Sequence, residues 1–118
     1  MKFVVQEHFA SHHHFDFRLE MDGAARSWAI PKNIPEKKGE KRLAIQVSDH
    51  SVDYMDFEGE IPKGMYGAGK VLIWDKGEYD LIKRNWKDIE IEIFGDKLKG
   101  TYSLFRFPTA GEKCLVDH

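Results

Sequence analysis

The alternation Ile89-Glu90-Ile91-Glu92-Ile93 constrains the fold of this chain more than any other feature. Apolar and charged residues exchanging at every step bury one face of an extended strand and leave the other in water, a pattern with no match to the helical period. The same period of two governs His14 to Met21: Phe15, Phe17, Leu19 and Met21 face one way, and His14, Asp16, Arg18 and Glu20 the other. Further strand-like segments run over Lys2 to Gln6, Ala25 to Ala29, Arg42 to Val47, Lys70 to Trp74, Glu78 to Ile82 and Thr101 to Phe107. Turn residues separate them at Asp22-Gly23, Asp75-Lys76-Gly77, Gly95-Asp96 and Gly100. No long helical stripe interrupts them. The expectation is an all-β domain of about eight short antiparallel strands with little helix, closed like a barrel so that few edges are exposed. Within Arg42 to Val47, the residues Leu43, Ile45 and Val47 form the expected packing face, with Arg42, Gln46 and His50 on the opposite parity.

A length of 118 residues allows one core, so residues 1–118 are read as a single domain. Cys114 is the only cysteine, which excludes an intramolecular disulfide, and an unactivated thiol there is expected to be inert. The start is not signal-like and no long apolar run follows, so the expected context is intracellular and soluble, without a membrane. A net charge of −2 argues against a protein that coats nucleic acid through a broad basic surface. Any such contact should be local. The best stretch for it is the locally basic run from Lys32 to Arg42, of which Lys32 to Glu40, bracketed by Pro31 and Pro35, reads as a long charged loop, although charge runs in loops are usually just solvated. Gly67-Ala68-Gly69 has the look of a dinucleotide-binding fragment, but it precedes a strand and not a helix, so phosphate cradling is discounted.

The polar face of His14 to Glu20 carries the chemistry. His14 and Asp16, two apart on a strand, can share one cation, and a third ligand could come from His8 across a turn or from His12, which has the parity of His14. Imidazole with carboxylate suits Mn, Fe or Zn better than Mg or Ca, which prefer oxygen shells. His12 and His13 otherwise read as surface residues. Arg18, Arg42, His50 and Tyr54 are donors matched to phosphate oxygens, and arginine can engage two at once. Each also has an ordinary reading as a surface ion pair, a loop residue or a half-buried aromatic. A different chemistry, the two-histidine, one-carboxylate centre of non-haem iron oxygenases, could be built from His14, Asp16 and His50. Chain length and the lack of a basic residue between His50 and Lys63 count against it.

Longer strings narrow the choice. Phe3-Val4-Val5-Gln6-Glu7-His8, His14-Phe15-Asp16-Phe17-Arg18-Leu19-Glu20, Ser27-Trp28-Ala29-Ile30-Pro31-Lys32 and Lys41-Arg42-Leu43-Ala44-Ile45-Gln46-Val47 resemble the 3′-phosphoesterase domain of bacterial DNA ligase D and its free-standing archaeal and bacterial homologues. Asp49-His50, Asp53-Tyr54, Phe57-Glu58-Gly59, Ile61-Pro62 and Tyr66-Gly67-Ala68-Gly69 through Trp74-Asp75-Lys76-Gly77 continue it in order and spacing, strongly to about Gly77 and loosely beyond. The resemblance implies a barrel-like enzyme that removes a 3′-terminal ribonucleoside and then the 3′-phosphate from DNA ends, leaving a 3′-hydroxyl. It implies a divalent metal, manganese first and zinc, cobalt or iron as alternatives, on His8, His14 and Asp16, and so favours His8 over His12. His14, Asp16, Arg18, His50 and Tyr54 match catalytic positions, the last three also binding phosphate. Lys32 and Arg42 match further substrate positions, and Gln6 a supporting one. The implied partners are DNA 3′ ends, with a monomer in a prokaryotic cytoplasm acting alone or with the ligase and polymerase of end joining in trans. The remaining alternative is a metal-binding DNA-end-recognition module without turnover.

Two departures from the family pattern stand out. Ser48 occupies a position that is often acidic, just before Asp49-His50, and the end Lys113-Cys114-Leu115-Val116-Asp117-His118 lacks the usual apolar-basic closing strand. The first is expected to affect how His50 is oriented, the second to weaken or rebuild the last strand. Asp16→Ala is expected to be thermally neutral, on the reasoning that a carboxylate in a polar groove adds little to packing.

Overall fold

The structure, a computed structural model, describes residues 1–107 and 111–118. Its strands are β1 (Lys2–Phe9), β2 (His14–Met21), β3 (Ala24–Ile30), β4 (Lys41–His50), β5 (Gly59–Ile61), β6 (Gly69–Arg84), β7 (Asp88–Gly95), β8 (Lys99–Arg106) and β9 (Lys113–Asp117), with a 3₁₀ turn over Val52–Asp56. They hydrogen-bond in the order β1-β2-β3-β4-β9-β8-β7-β6, and β6 returns to β1. Eight antiparallel strands thus form a closed barrel, to which β5 adds a short ninth strand on β6. No helix of the described residues is long and apolar enough to cross a membrane.

The apolar parity of each strand fills the interior. Phe17 and Leu19 of β2 meet Phe3 and Val5 of β1, Trp28 and Ile30 of β3, Ile91 and Ile93 of β7, and Val116 of β9 in one buried cluster. Each such side chain contributes roughly 1.5–3 kcal/mol by leaving water. The Asp22-Gly23 turn holds positive φ at both residues, 57° and 79°, which makes the tight turn between β2 and β3 that its sequence predicts.

Two expectations are corrected. Asp75-Lys76-Gly77 is not a turn: β6 runs through it as one strand of 16 residues. Val5 pairs with Asp75 but Gln6 with Ile73, so Trp74 is an extra residue and the strand bends there without breaking. The Asp75 carboxylate caps a turn elsewhere, accepting the backbone N–H groups of Asp96 at 3.0 Å, Lys97 at 3.2 Å and Leu98 at 2.8 Å between β7 and β8. Gly77 and Gly95 lie opposite each other because the strands approach too closely for side chains: a Cβ on Gly77 would strike the Phe94 carbonyl, and one on Gly95 the Asp75 carboxylate.

On β4 the packing face is the opposite of the expected one. Ala44 is fully buried, whereas Leu43 and Val47 are 42% and 37% exposed. Bulky residues pattern as core in a lone strand, but here the inward parity offers space only for Ala44 and for Gln46, which accepts a 2.6 Å hydrogen bond from Arg106. The final strand, expected to be weakened or rebuilt, is integrated into the sheet. β9 is inserted between β4 and β8 and buries Cys114 and Val116.

Candidate metal and phosphate site

The polar parity of β1, β2 and β3 forms a patch on the outside of the barrel, partly roofed by the 3₁₀ turn. Register assembles it: His8 lies opposite His14, Gln6 opposite Asp16, and Arg18 between Val4 on β1 and Ser27 on β3. His8 Nδ1 and His14 Nε2 approach the same Asp16 oxygen, Oδ2, at 3.5 and 3.3 Å. One ligand atom from each of the three residues lies within 4.8 Å of the others.

The other nitrogen of each ring decides the tautomer. His8 Nε2 is 2.7 Å from the carbonyl oxygen of Gly67, and His14 Nδ1 is 2.8 Å from that of His12. A carbonyl can only accept, so both distal nitrogens carry hydrogen. That leaves His8 Nδ1 and His14 Nε2 as the nitrogens that would ligate a metal beside Asp16; when protonated, His14 Nε2 donates to the Asp16 carboxylate instead, and this hydrogen bond raises the His14 pKa against the effect of burial. Burial pushes the Asp16 carboxyl upwards, but the hydrogen bond with His14 and the charge of Arg18 outweigh it and hold the group below its ordinary range. The donor set fits a divalent cation that accepts nitrogen and oxygen together.

Beside this trio Arg18 is buried and braced. Its Nε donates to Gln6 Oε1 at 2.6 Å and its Nη1 to Ser27 Oγ at 2.7 Å, while Nη2 stands 3.4 Å from Asp16 Oδ2. Gln6 spends its amide N–H groups on the carbonyls of Tyr54 at 2.9 Å and Phe57 at 3.2 Å, tying the arginine to the 3₁₀ turn. Tyr54 in turn lies under the guanidinium, 5.0 Å from ring centre to Cζ, and stacks between His50 and Phe57 at 4.4 and 5.2 Å. Burial, with Arg18 nearby, pushes the His50 pKa down, and burial pushes that of Tyr54 up. Both are therefore neutral hydrogen-bond donors at neutral pH.

His50 reaches this face by a bulge. Ala25 pairs with His50 and Ser27 with Val47, so two residues of β3 span three of β4, and His50 leaves the parity of Arg42 and Gln46 to join the outer patch. Ser48 sits in that bulge, exposed. The structure thus brings together His8, His14, Asp16, Arg18, Gln6, His50 and Tyr54. It places Lys32 and Arg42 elsewhere, in a shared groove with Pro31, Lys41 and Leu43, where Arg42 binds the Lys41 carbonyl at 2.9 Å and pairs with Glu40 at 3.5 Å. His12 contributes its carbonyl only, and His13 pairs with Glu7 at 2.8 Å. Among the described residues the cluster with metal-ligand spacing is His8, His14 and Asp16, and His50 is not part of it.

Ser27, Phe57 and the Gly67 carbonyl were not singled out by the sequence reading. Ser27 was findable: counting outward from the Asp22-Gly23 turn sets it opposite Arg18. A backbone carbonyl such as that of Gly67 leaves no side-chain signature.

A small closed β-barrel with a two-histidine, one-carboxylate trio and a braced arginine on its outer face defines a class of barrel proteins equipped to hold a cation beside an anion. The comparisons are more specific. The family described as DNA Ligase D 3′-phosphoesterase domain matches residues 6–106, and the chain belongs to that family. It is 46% identical over 118 residues to the multifunctional non-homologous end joining DNA repair protein LigD of Mycobacterium tuberculosis, covering 97% of this chain and 15% of that protein. It is 43% identical to the multifunctional non-homologous end joining protein LigD of Mycolicibacterium smegmatis, covering 98% of this chain and 16% of the relative. The corresponding protein of Pseudomonas aeruginosa is also 43% identical, with 96% and 14% covered. The chain therefore spans about one-seventh of the length of these relatives.

Proposed function

We propose that this protein is a metal-dependent phosphoesterase that heals DNA 3′ ends, removing a terminal ribonucleoside and then the 3′-phosphate to leave a 3′-hydroxyl. The observation that carries the proposal is the meeting of two tautomer-fixed imidazoles and Asp16 with a buried arginine braced at 3.4 Å from the same carboxylate oxygen. A divalent cation, manganese first, would be held by His8, His14 and Asp16 and would supply Lewis-acid polarisation of a phosphoryl oxygen.

The chain's own groups do the rest. Arg18 has five N–H donors and spends two in hydrogen bonds to Gln6 and Ser27, so others remain for phosphate oxygens. Its bracing fixes the fork before substrate arrives, and pre-aligned donors stabilise developing charge without reorganising. The His50 N–H and Tyr54 O–H, kept protonated as neutral groups, extend this donor set. His50 in its neutral form is a better donor to an oxyanion than a source of a full proton, although a nearby phosphate would raise its proton affinity again.

The test is a labelled primer-template ending in one 3′-ribonucleotide, and a second ending in a 3′-phosphate, incubated with manganese and resolved on a gel. Conversion of the first to a 3′-phosphate and of both to a 3′-hydroxyl, abolished by a chelator, is the expected result. Unchanged ends that nevertheless bind the protein would replace the enzyme with an end-recognition module.

A further inference from the structure

The loop between β5 and β6 anchors a metal-ligand histidine, yet its most prominent side chain has no role in the site described so far. Gly67 gives its carbonyl to His8 at 2.7 Å, and a Cβ on Gly67 would stand 3.6 Å from the His8 ring. The preceding residue, Tyr66, is fully exposed, as is most of its neighbour Met65. The tip is nonetheless a defined turn, with Met65 N–H donating to the Pro62 carbonyl and Ala68 N–H to the Met65 carbonyl, both at 3.1 Å. Consecutive Cα atoms are about 3.8 Å apart, so the pinned turn sets the Tyr66 backbone one residue from the carbonyl that anchors His8, with its ring free in solvent and within a side chain's reach of the His8–His14–Asp16 trio. Lys63, in the same turn, is exposed and has no ion-pair partner among the described residues.

We propose that Tyr66 is a stacking platform for the nucleobase of the 3′-terminal nucleotide whose phosphate occupies the neighbouring site. The proposal rests on the function proposed above, and deepens it by assigning a contact to the base. An aromatic ring beside a cation on a fixed turn is the combination that holds single-stranded nucleic acid without reading its sequence, because every base has a π-face. The site would therefore accept any terminal base, which suits a protein that must act on arbitrary ends.

The experiment uses an oligodeoxynucleotide carrying 2-aminopurine at its 3′-terminal nucleotide and a 3′-phosphate. It is first titrated with protein in chelator, where no turnover consumes it, and then assayed with manganese. Wild type should quench the 2-aminopurine fluorescence. Tyr66→Ala should lose the quench and raise KM by roughly tenfold with kcat unchanged, Tyr66→Phe should retain both, and replacing Trp86, an exposed aromatic between β6 and β7, by alanine (Trp86→Ala) should alter neither. Quenching and KM at wild-type values in Tyr66→Ala would overturn the proposal. So would a fall in kcat at constant KM, since that would mark a role exerted only through the His8 anchor. If wild type quenches through Tyr66 but converts no ends, stacking stands and the phosphoesterase reading falls, so the two failures are distinct.

Discussion

Arg18 is fixed by Gln6, Ser27 and Asp16, and lysine offers no planar fork to meet all three. Arg18→Lys is expected to cut kcat by about 10²-fold or more with the barrel intact, checked by steady-state assay beside a circular-dichroism melt. Ser27→Ala should give a smaller loss, about tenfold, because one brace goes while the guanidinium stays. Asp16 invites a revision. The sequence suggests a carboxylate in a polar groove that adds little to packing, but it is only 7% exposed and stands between two imidazoles and Arg18. Removing it leaves a buried guanidinium without its counter-charge, so Asp16→Ala should lose both turnover and about 1–3 kcal/mol of stability. A denaturation midpoint equal to that of wild type would restore the earlier view.

At the scale of elements, the strands that carry the site were the most legible. His14 to Met21 alternates strictly and is closed by Asp22-Gly23, so β2, its packing face and its register with β3 could all be read from neighbouring residues. What was hidden depends on partners distant in sequence. The parity of β4 is set by the space left inside the barrel, the position of His50 by a bulge, and the continuity of β6 by Asp75 capping a turn about twenty residues later. A carboxylate two residues before a glycine reads locally as a turn, and only the closed sheet makes it a strand. This predicts a specific fragility. Gly95→Ala would force a Cβ into the Asp75 carboxylate and the Phe3 ring, and Asp75→Ala would orphan the buried Leu98 N–H. Each should cost about 1–3 kcal/mol in urea denaturation, and because both act on the same turn the double variant should cost less than the two together.

For the whole molecule, closure comes from contacts between residues far apart in sequence: β1 on β6, and β4 on β9. Cys114 lies in β9 within the core, and burial pushes its thiol pKa up. The native thiol should accordingly resist an aromatic disulfide reagent at neutral pH and react at the rate of global unfolding, with fast stoichiometric reaction of native protein as the contrary outcome. The placement of β9 also orders the protein's life on the ribosome. His8, His14, Asp16 and Arg18 are translated well before β9, the strand that completes the sheet between β4 and β8. Until then the candidate ligands hang on an unsealed curl of sheet, open to whatever cation the cell supplies, so the concentration of free metal during synthesis would bear on the identity of any ion the proposed site takes.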